Sequence, residues 1–195
     1  MKRCSAVAVF SQDLERVCLI HKLRPDWQAG KANFPGGKVD RSDAKPSMWN
    51  GKHDRVKLYL DEADFNEIHL RCAARELAEE TSLTVDAAAL KLFCTLRFRR
   101  VEDGEDAECR FFAVALPCRG RDLDSFVKTT TDERVFCEWS DSVLYGEGSY
   151  RSSDGKIVEL PTMSNLPWLV AMARQTLGST NTDSTPPFTV TEAGR

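Results

Sequence analysis

The chain has 195 residues, 42% hydrophobic and 29% charged, which suits one globular domain with a substantial core and excludes a low-complexity or disordered chain. Its net charge of −3 leaves no basic excess for broad nucleic-acid binding. Seven cysteines, an odd number with no Cys-x-x-Cys, and only three histidines exclude a zinc cluster and point to reduced, buried thiols in a cytoplasmic protein. The apolar run Ala6–Phe10 is too short for a signal peptide, and no stretch is long enough to span a membrane.

In chain order, Ala6–Phe10 reads as a strand and Arg16–His21 as its hairpin partner across the polar turn Ser11–Glu15. A loop over Lys22–Ala32 leads to the Gly-rich turn Asn33-Phe34-Pro35-Gly36-Gly37-Lys38-Val39. The next segment holds Pro46, Asn50-Gly51 and an alternating run, Val56–Leu60, that reads as a short added strand. A helix follows over roughly Asn66–Thr81, with Asn66 as N-cap and Leu70, Ala73, Ala74 and Leu77 as its apolar stripe. Leu92–Arg99 and Arg110–Leu116 read as an antiparallel pair and Val135–Trp139 as a further strand. Ser164–Leu177 reads as a closing helix. Beyond it lies a Ser/Thr/Asn/Pro-rich tail, 178–195, flexible or adding Phe188–Thr191 as an edge strand. Residues 1–177 thus form a single domain of α+β class.

The chemistry concentrates in Arg75-Glu76-Leu77-Ala78-Glu79-Glu80-Thr81-Ser82-Leu83. Glu76, Glu79 and Glu80 fall within about 100° of the helix surface, beside the apolar stripe and at the rim of a cleft. Like charges at these spacings repel by roughly 0.2–0.5 kcal/mol per pair, a repulsion that a hard divalent cation with oxygen ligands would relieve. Glu67, Arg71 and Arg75 form a charge ladder on the other flank. The Gly36-Gly37 turn allows close backbone approach to a ligand and sets Lys38 where it can meet a phosphate.

The turn and the helix together resemble the box of the Nudix (MutT-like) hydrolases, G-x5-E-x7-R-E-U-x-E-E-x-G-U with U apolar. Glu67, seven residues, then Arg75 through Thr81 match it position by position, Leu83 fills the final apolar place and Gly37 the opening glycine. Two departures stand out. Ser82 replaces the box glycine, and Gly37 lies thirty positions before Glu67 where the family has six, an insertion of 24 residues over about 40–66. The segments 24–31 and 165–169 look similar to those of small phage and bacterial members.

The resemblance implies an α/β/α sandwich with a mixed β-sheet, and hydrolysis of a nucleoside diphosphate linked to another group. It implies Mg²⁺, with Mn²⁺ as a substitute, held by Glu76, Glu79, Glu80 and the Gly37 carbonyl, with Glu76 alternatively a general base. Glu67 and Arg75 become a structural pair, Asn33 a base reader or a turn residue, and Lys38 a phosphate contact. Glu105, Glu108 and Glu133 are candidates for one further carboxylate. Asp132 and Trp27, Trp139 and Trp168 are candidates for base contact, each tryptophan with a core position as its alternative. The expected reaction converts a nucleoside triphosphate, normal or modified, to monophosphate and pyrophosphate. The alternatives are hydrolysis of ADP-ribose, a dinucleoside polyphosphate or a nucleotide-sugar, and an inactive nucleotide-binding module. The expected partner is a small nucleotide, with neither nucleic acid nor membrane, for a monomer or homodimer. The basic residues of the insertion, Lys45 among them, suggest a lid over phosphates.

Overall fold

The computed structural model describes residues 1–50, 55–56, 61–99, 104–179 and 188–191. In chain order its strands and helices are β1 (Lys2–Ser11), β2 (Arg16–Lys22), β3 (Lys31–Asn33), β4 (Gly36–Lys38), β5 (Trp49–Asn50), β6 (Arg55–Val56), α1 (Glu62–Thr81), β7 (Lys91–Arg99), β8 (Asp106–Leu116), β9 (Arg134–Trp139), α2 (Ser140–Leu144), β10 (Glu147–Arg151), β11 (Ile157–Pro161), α3 (Leu166–Gly178) and β12 (Phe188–Thr191). The main sheet runs β12-β7-β8-β1-β2-β3, with β4 also on β1 and β9 also on β2. It is mixed, because β1 lies parallel to β8 and antiparallel to β2 and β4.

Alternation along the central strands builds two cores. Ala6, Ala8 and Phe10 of β1 join Phe111, Phe136 and the α3 residues Leu166, Leu169, Val170 and Ala173 on one face. Val7 and Val9 join Ile20, Phe112, Val114 and the α1 residues Ala73 and Leu77 on the other. Helices cover both faces, so the expected α/β/α sandwich is present. Burial of Leu77, worth about 2 kcal/mol, fixes the rotation of α1 and turns its glutamates toward the Gly36-Gly37 turn.

The helix starts earlier than the sequence suggests. Its N-cap is Asp61, whose carboxylate accepts the Asp64 N–H at 2.8 Å, and Glu62 and Asp64 complement the helix dipole in the first turn. Asn66 is therefore an interior residue, and its amide oxygen accepts from Arg110 Nη1 at 3.4 Å. The helix ends where expected. Ser82 takes φ 60°, ψ 6° and donates its N–H to the Ala78 carbonyl, the left-handed stop that the box glycine would supply.

The chain after β4 makes a helical turn over Arg41–Asp43, and beyond it Ala44 and Met48 pack on Ile68 with Val39 and Phe65. Trp49–Asn50 pairs with Arg55–Val56, and the rest of the expected strand over 57–60 lies outside the described residues. The hairpin β10–β11 and the short α2 were not anticipated. Phe188–Thr191 forms an edge strand parallel to β7.

Candidate active site

The site forms where the C-terminal half of α1 meets the β3–β4 turn. Gly37 pairs with Ser5 of β1, and its Cα lies so close to the Glu76 carboxylate that a methyl group there would overlap it. Gly36 lies equally tight against the Ser5 carbonyl and the Ala6 backbone, so no side chain fits there, whereas at Gly37 only the end of the Glu76 side chain is in the way. The Gly37 carbonyl accepts a weak bond from the Cys72 thiol at 3.8 Å.

Arg75 organises the upper part of the site. Its Nε and Nη2 bond the two carboxylate oxygens of Asp43, both at 2.9 Å. Its Nη1 reaches Glu76 Oε1 and Glu79 Oε2, both at 2.9 Å, and its Nη2 also donates to the Lys38 carbonyl at 3.0 Å. Bonding to Asp43 holds the guanidinium pKa above its ordinary value, against burial. Asp43 is itself fixed, because its Oδ2 accepts the Asp40 N–H at 2.8 Å in a capping box.

Here the structure corrects the expected partner of Arg75. Glu67 pairs with Lys45 and Arg71, at 2.8 and 2.7 Å. Glu67 and Arg75 lie eight residues apart on one continuous helix, about 12 Å along its axis, too far to meet. Asp43 stands six positions after Gly37, the family spacing, with Asp in place of Glu. The Arg75–Asp43 ion pair ties the turn to the helix.

The lower part of the site centres on Lys22, at the end of β2. Its Nζ lies 3.2 Å from Glu80 Oε1 and 2.5 Å from Glu133 Oε2, and all three side chains are nearly buried. Glu80 Oε2 accepts the Gly36 N–H at 2.7 Å, and Glu133 Oε1 accepts the Leu23 N–H at 2.9 Å. The loop that carries Glu133 is docked on the end of α1, where Lys128 N–H donates to the Thr81 carbonyl at 2.8 Å and the Thr130 hydroxyl to the Glu79 carbonyl. Burial pushes the Glu76 and Glu80 carboxyls above the ordinary range, more than Arg75 and Lys22 pull them down. Burial opposes the charge on Lys22, but Glu80 and Glu133 together raise its pKa.

Six carboxylates, those of Asp40, Asp43, Glu76, Glu79, Glu80 and Glu133, thus face two cations. The donors are hard oxygens and the excess charge is negative, which fits a divalent ion such as Mg²⁺. Among the described residues no three His, Cys, Asp or Glu side chains converge as a ready ligand cage. Arg75 and Lys22 hold the glutamates instead.

No protein-family model and no curated protein matches the sequence. Solved structures do. The MutT Nudix hydrolase from Burkholderia pseudomallei matches at 15% identity and TM-score 0.52, over 88% of this chain and 96% of that one. The Nudix domain of Shewanella oneidensis NrtR, complexed with ADP-ribose, matches at 14% and 0.53, over 90% and 87%. An Ap4A hydrolase from C. elegans matches at 12% and 0.52, over 91% and 98%. The chain has the Nudix hydrolase fold. At such identities the likeness is one of fold.

Within that Nudix fold the remaining candidates separate. Glu133 joins the site, and Glu105 and Glu108 do not. Glu108 lies beside His69, two turns before Glu76, and is saturated by Arg97 at 2.8 Å and Arg110 at 3.1 Å. Glu105 pairs with Lys2 at 3.6 Å near the start of β8. Asn33 uses its amide locally: Oδ1 accepts the Phe34 N–H at 2.8 Å and Nδ2 donates to Gln28 at 3.4 Å. Lys38 is exposed beside Gly37.

Asp132 is exposed and bonds Arg24 at 3.4 Å. None of the three tryptophans is in the core. Trp27, Trp139 and Trp168 are all more than a third exposed. Trp139 lies opposite Arg16, about 20 Å along β2 from the Lys22 end, and its ring carries the Arg16 guanidinium. Lys45 is bound to Glu67, away from the glutamate cluster; of the insertion's other basic residues expected in a lid, Lys52, His53 and Lys57 lie outside the described residues and the Arg55 side chain is not described. The sequence reading missed Lys22, which carries no motif, and Asp43, which the Gly37 spacing would have found once Asp was allowed for Glu.

Proposed function

We propose that this chain is a Mg²⁺-dependent pyrophosphohydrolase that converts a nucleoside triphosphate to a monophosphate and pyrophosphate. The observation that carries the reading is the gathering of Glu76, Glu79, Glu80 and Glu133 around Arg75 and Lys22, with Glu76 and Glu80 against the Gly36-Gly37 turn. Glu79, Glu80, Glu133 and the Gly37 carbonyl would hold Mg²⁺, or Mn²⁺ in its place. When bound, the ion supplies charge neutralisation and alignment for the phosphate chain. Exposed Lys38 meets the outer phosphate oxygens. Glu76, with its carboxyl pKa raised by burial, takes the proton from the water that attacks phosphorus, and pyrophosphate leaves. Arg75, locked to Asp43, keeps the helix and turn in the geometry this requires.

The substrate expectation rests on the resemblance of the box. ADP-ribose and dinucleoside polyphosphates share the phosphoric anhydride that such a site would cleave. Seven free cysteines suit a reducing cytoplasmic setting, and among the described residues no helix is long and apolar enough to cross a membrane.

The test is product analysis by mass spectrometry. Wild type and Glu80→Gln are incubated with Mg²⁺ and a panel of normal, oxidised and methylated nucleoside triphosphates, ADP-ribose, dinucleoside polyphosphates and nucleotide-sugars. Conversion of a triphosphate to monophosphate by wild type alone is the expected result. Turnover of only ADP-ribose or a dinucleoside polyphosphate would move the substrate class. No turnover, with nucleotide binding indifferent to metal, would leave a binding module.

A further inference from the structure

The two cations in the site are held very differently. Arg75 is anchored outside the glutamate cluster by two bonds to buried Asp43 and by the Lys38 carbonyl, so it keeps its place whatever happens to Glu76 and Glu79. The Lys22 ammonium has only Glu80 and Glu133 as partners among the described residues. Those carboxylates are fixed from behind by backbone N–H groups of Gly36 and Leu23. They would stay in position if the ammonium left, whereas the four-carbon lysine stem can turn away.

We propose that Lys22 is a displaceable counterion: its ammonium occupies the Glu80–Glu133 cation position in the metal-free chain, and a divalent ion must displace it to bind there. This rests on the metal reading above. Lys22 is then a positioning residue. It keeps two nearly buried carboxylates facing one another in the absence of metal, where unpaired they would repel and carry a large desolvation cost. It also sets the metal concentration at which the site fills, because each ion bound must first lose the lysine pairing.

The test is Mn²⁺ titration of the full chain, followed by electron paramagnetic resonance, in wild type, Lys22→Met and Lys22→Arg. Lys22→Met removes the competitor with little change in volume, so Mn²⁺ binding is expected to tighten by about tenfold or more. Lys22→Arg keeps the charge and is expected to bind no tighter than wild type. A second measurement uses wild type alone, so it stands even if Lys22→Met fails to fold. Amine acetylation mapped by mass spectrometry should find Lys22 protected without metal and labelled at saturating Mg²⁺. Equal or weaker Mn²⁺ binding in folded Lys22→Met overturns the proposal with the metal reading intact. So does Lys22 labelling that Mg²⁺ leaves unchanged while Mn²⁺ binds. Absence of Mn²⁺ binding in both wild type and Lys22→Met overturns the metal reading and the proposal with it.

Discussion

Arg75 and Asp43 form a two-pronged ion pair, Nε to Oδ1 and Nη2 to Oδ2, each at 2.9 Å, although 32 positions separate them in the chain. Asp43 is almost fully buried and Glu67 is not. Removing one partner of a buried pair costs about 3–5 kcal/mol, whereas an exposed pair contributes about 0–1 kcal/mol. Asp43→Ala should therefore lower stability by roughly 3 kcal/mol and reduce turnover, because Arg75 no longer ties Glu76 to the turn. Glu67→Ala should cost less than about 1 kcal/mol and leave turnover nearly intact. Urea melts and kcat of the two variants check this, and a larger loss in Glu67→Ala would return the box role to Glu67.

Ser82 stands at φ 60° at the end of α1. A left-handed non-glycine residue is strained by about 1–2 kcal/mol, and glycine carries an unfolded-state entropy cost of roughly 0.5–1 kcal/mol. Ser82→Gly is expected to gain about 0.5–1 kcal/mol in a denaturant melt. The Ser82 N–H to Ala78 carbonyl bond survives the change, so a loss of stability would show that the serine side chain has a role of its own.

These two positions also show how far the sequence could be read. Glu76, Glu79, Glu80 and Arg75 were legible because a single helix fixes their spacing, and helical periodicity is a local property. The Ser82 stop was legible for the same reason. Asp43 was missed because Glu67 stands at the box distance before Arg75, while the competing spacing from Gly37 requires Asp in place of Glu. Lys22, Glu133 and the β10–β11 hairpin depend on which strands become neighbours. Lys22 is a lone lysine at a strand end, and Glu133 was one of three equivalent loop carboxylates until the Lys128 and Thr130 contacts docked its loop on α1.

Gly37 makes a prediction about function that is separable from stability. Its Cα faces the Glu76 carboxylate without room for a methyl group. Gly37→Ala should push that carboxylate aside while the β1–β4 backbone pairing persists. A displacement of about 1 Å in a reacting group can cost 100-fold in rate, so kcat/KM is expected to fall by about that factor with only a small change in Tm. Unchanged kinetics in Gly37→Ala would mean that Glu76 does not work from the position seen here.

His69 gives the protein a pH dependence remote from the glutamates. Its ring is fully buried; Nδ1 lies 2.9 Å from the Ser5 hydroxyl, and Nε2 has no hydrogen-bond partner. Groups facing it include Glu108 at 3.6 Å, Arg110 and Arg3. Burial, with Arg110 and Arg3 and against Glu108, lowers its pKa to about 3. The unfolded chain takes up a proton on this residue near pH 6.5 and the folded chain does not until about pH 3. Stability from the neutral ring is therefore complete above pH 6.5 and lost progressively as pH falls toward 3. Between pH 7 and 5.5 this should remove about 1 kcal/mol. Urea melts across that window should show the slope in wild type and a flatter one in His69→Gln, which retains a polar partner for Ser5. Equal slopes in both proteins would assign the pH dependence to other groups.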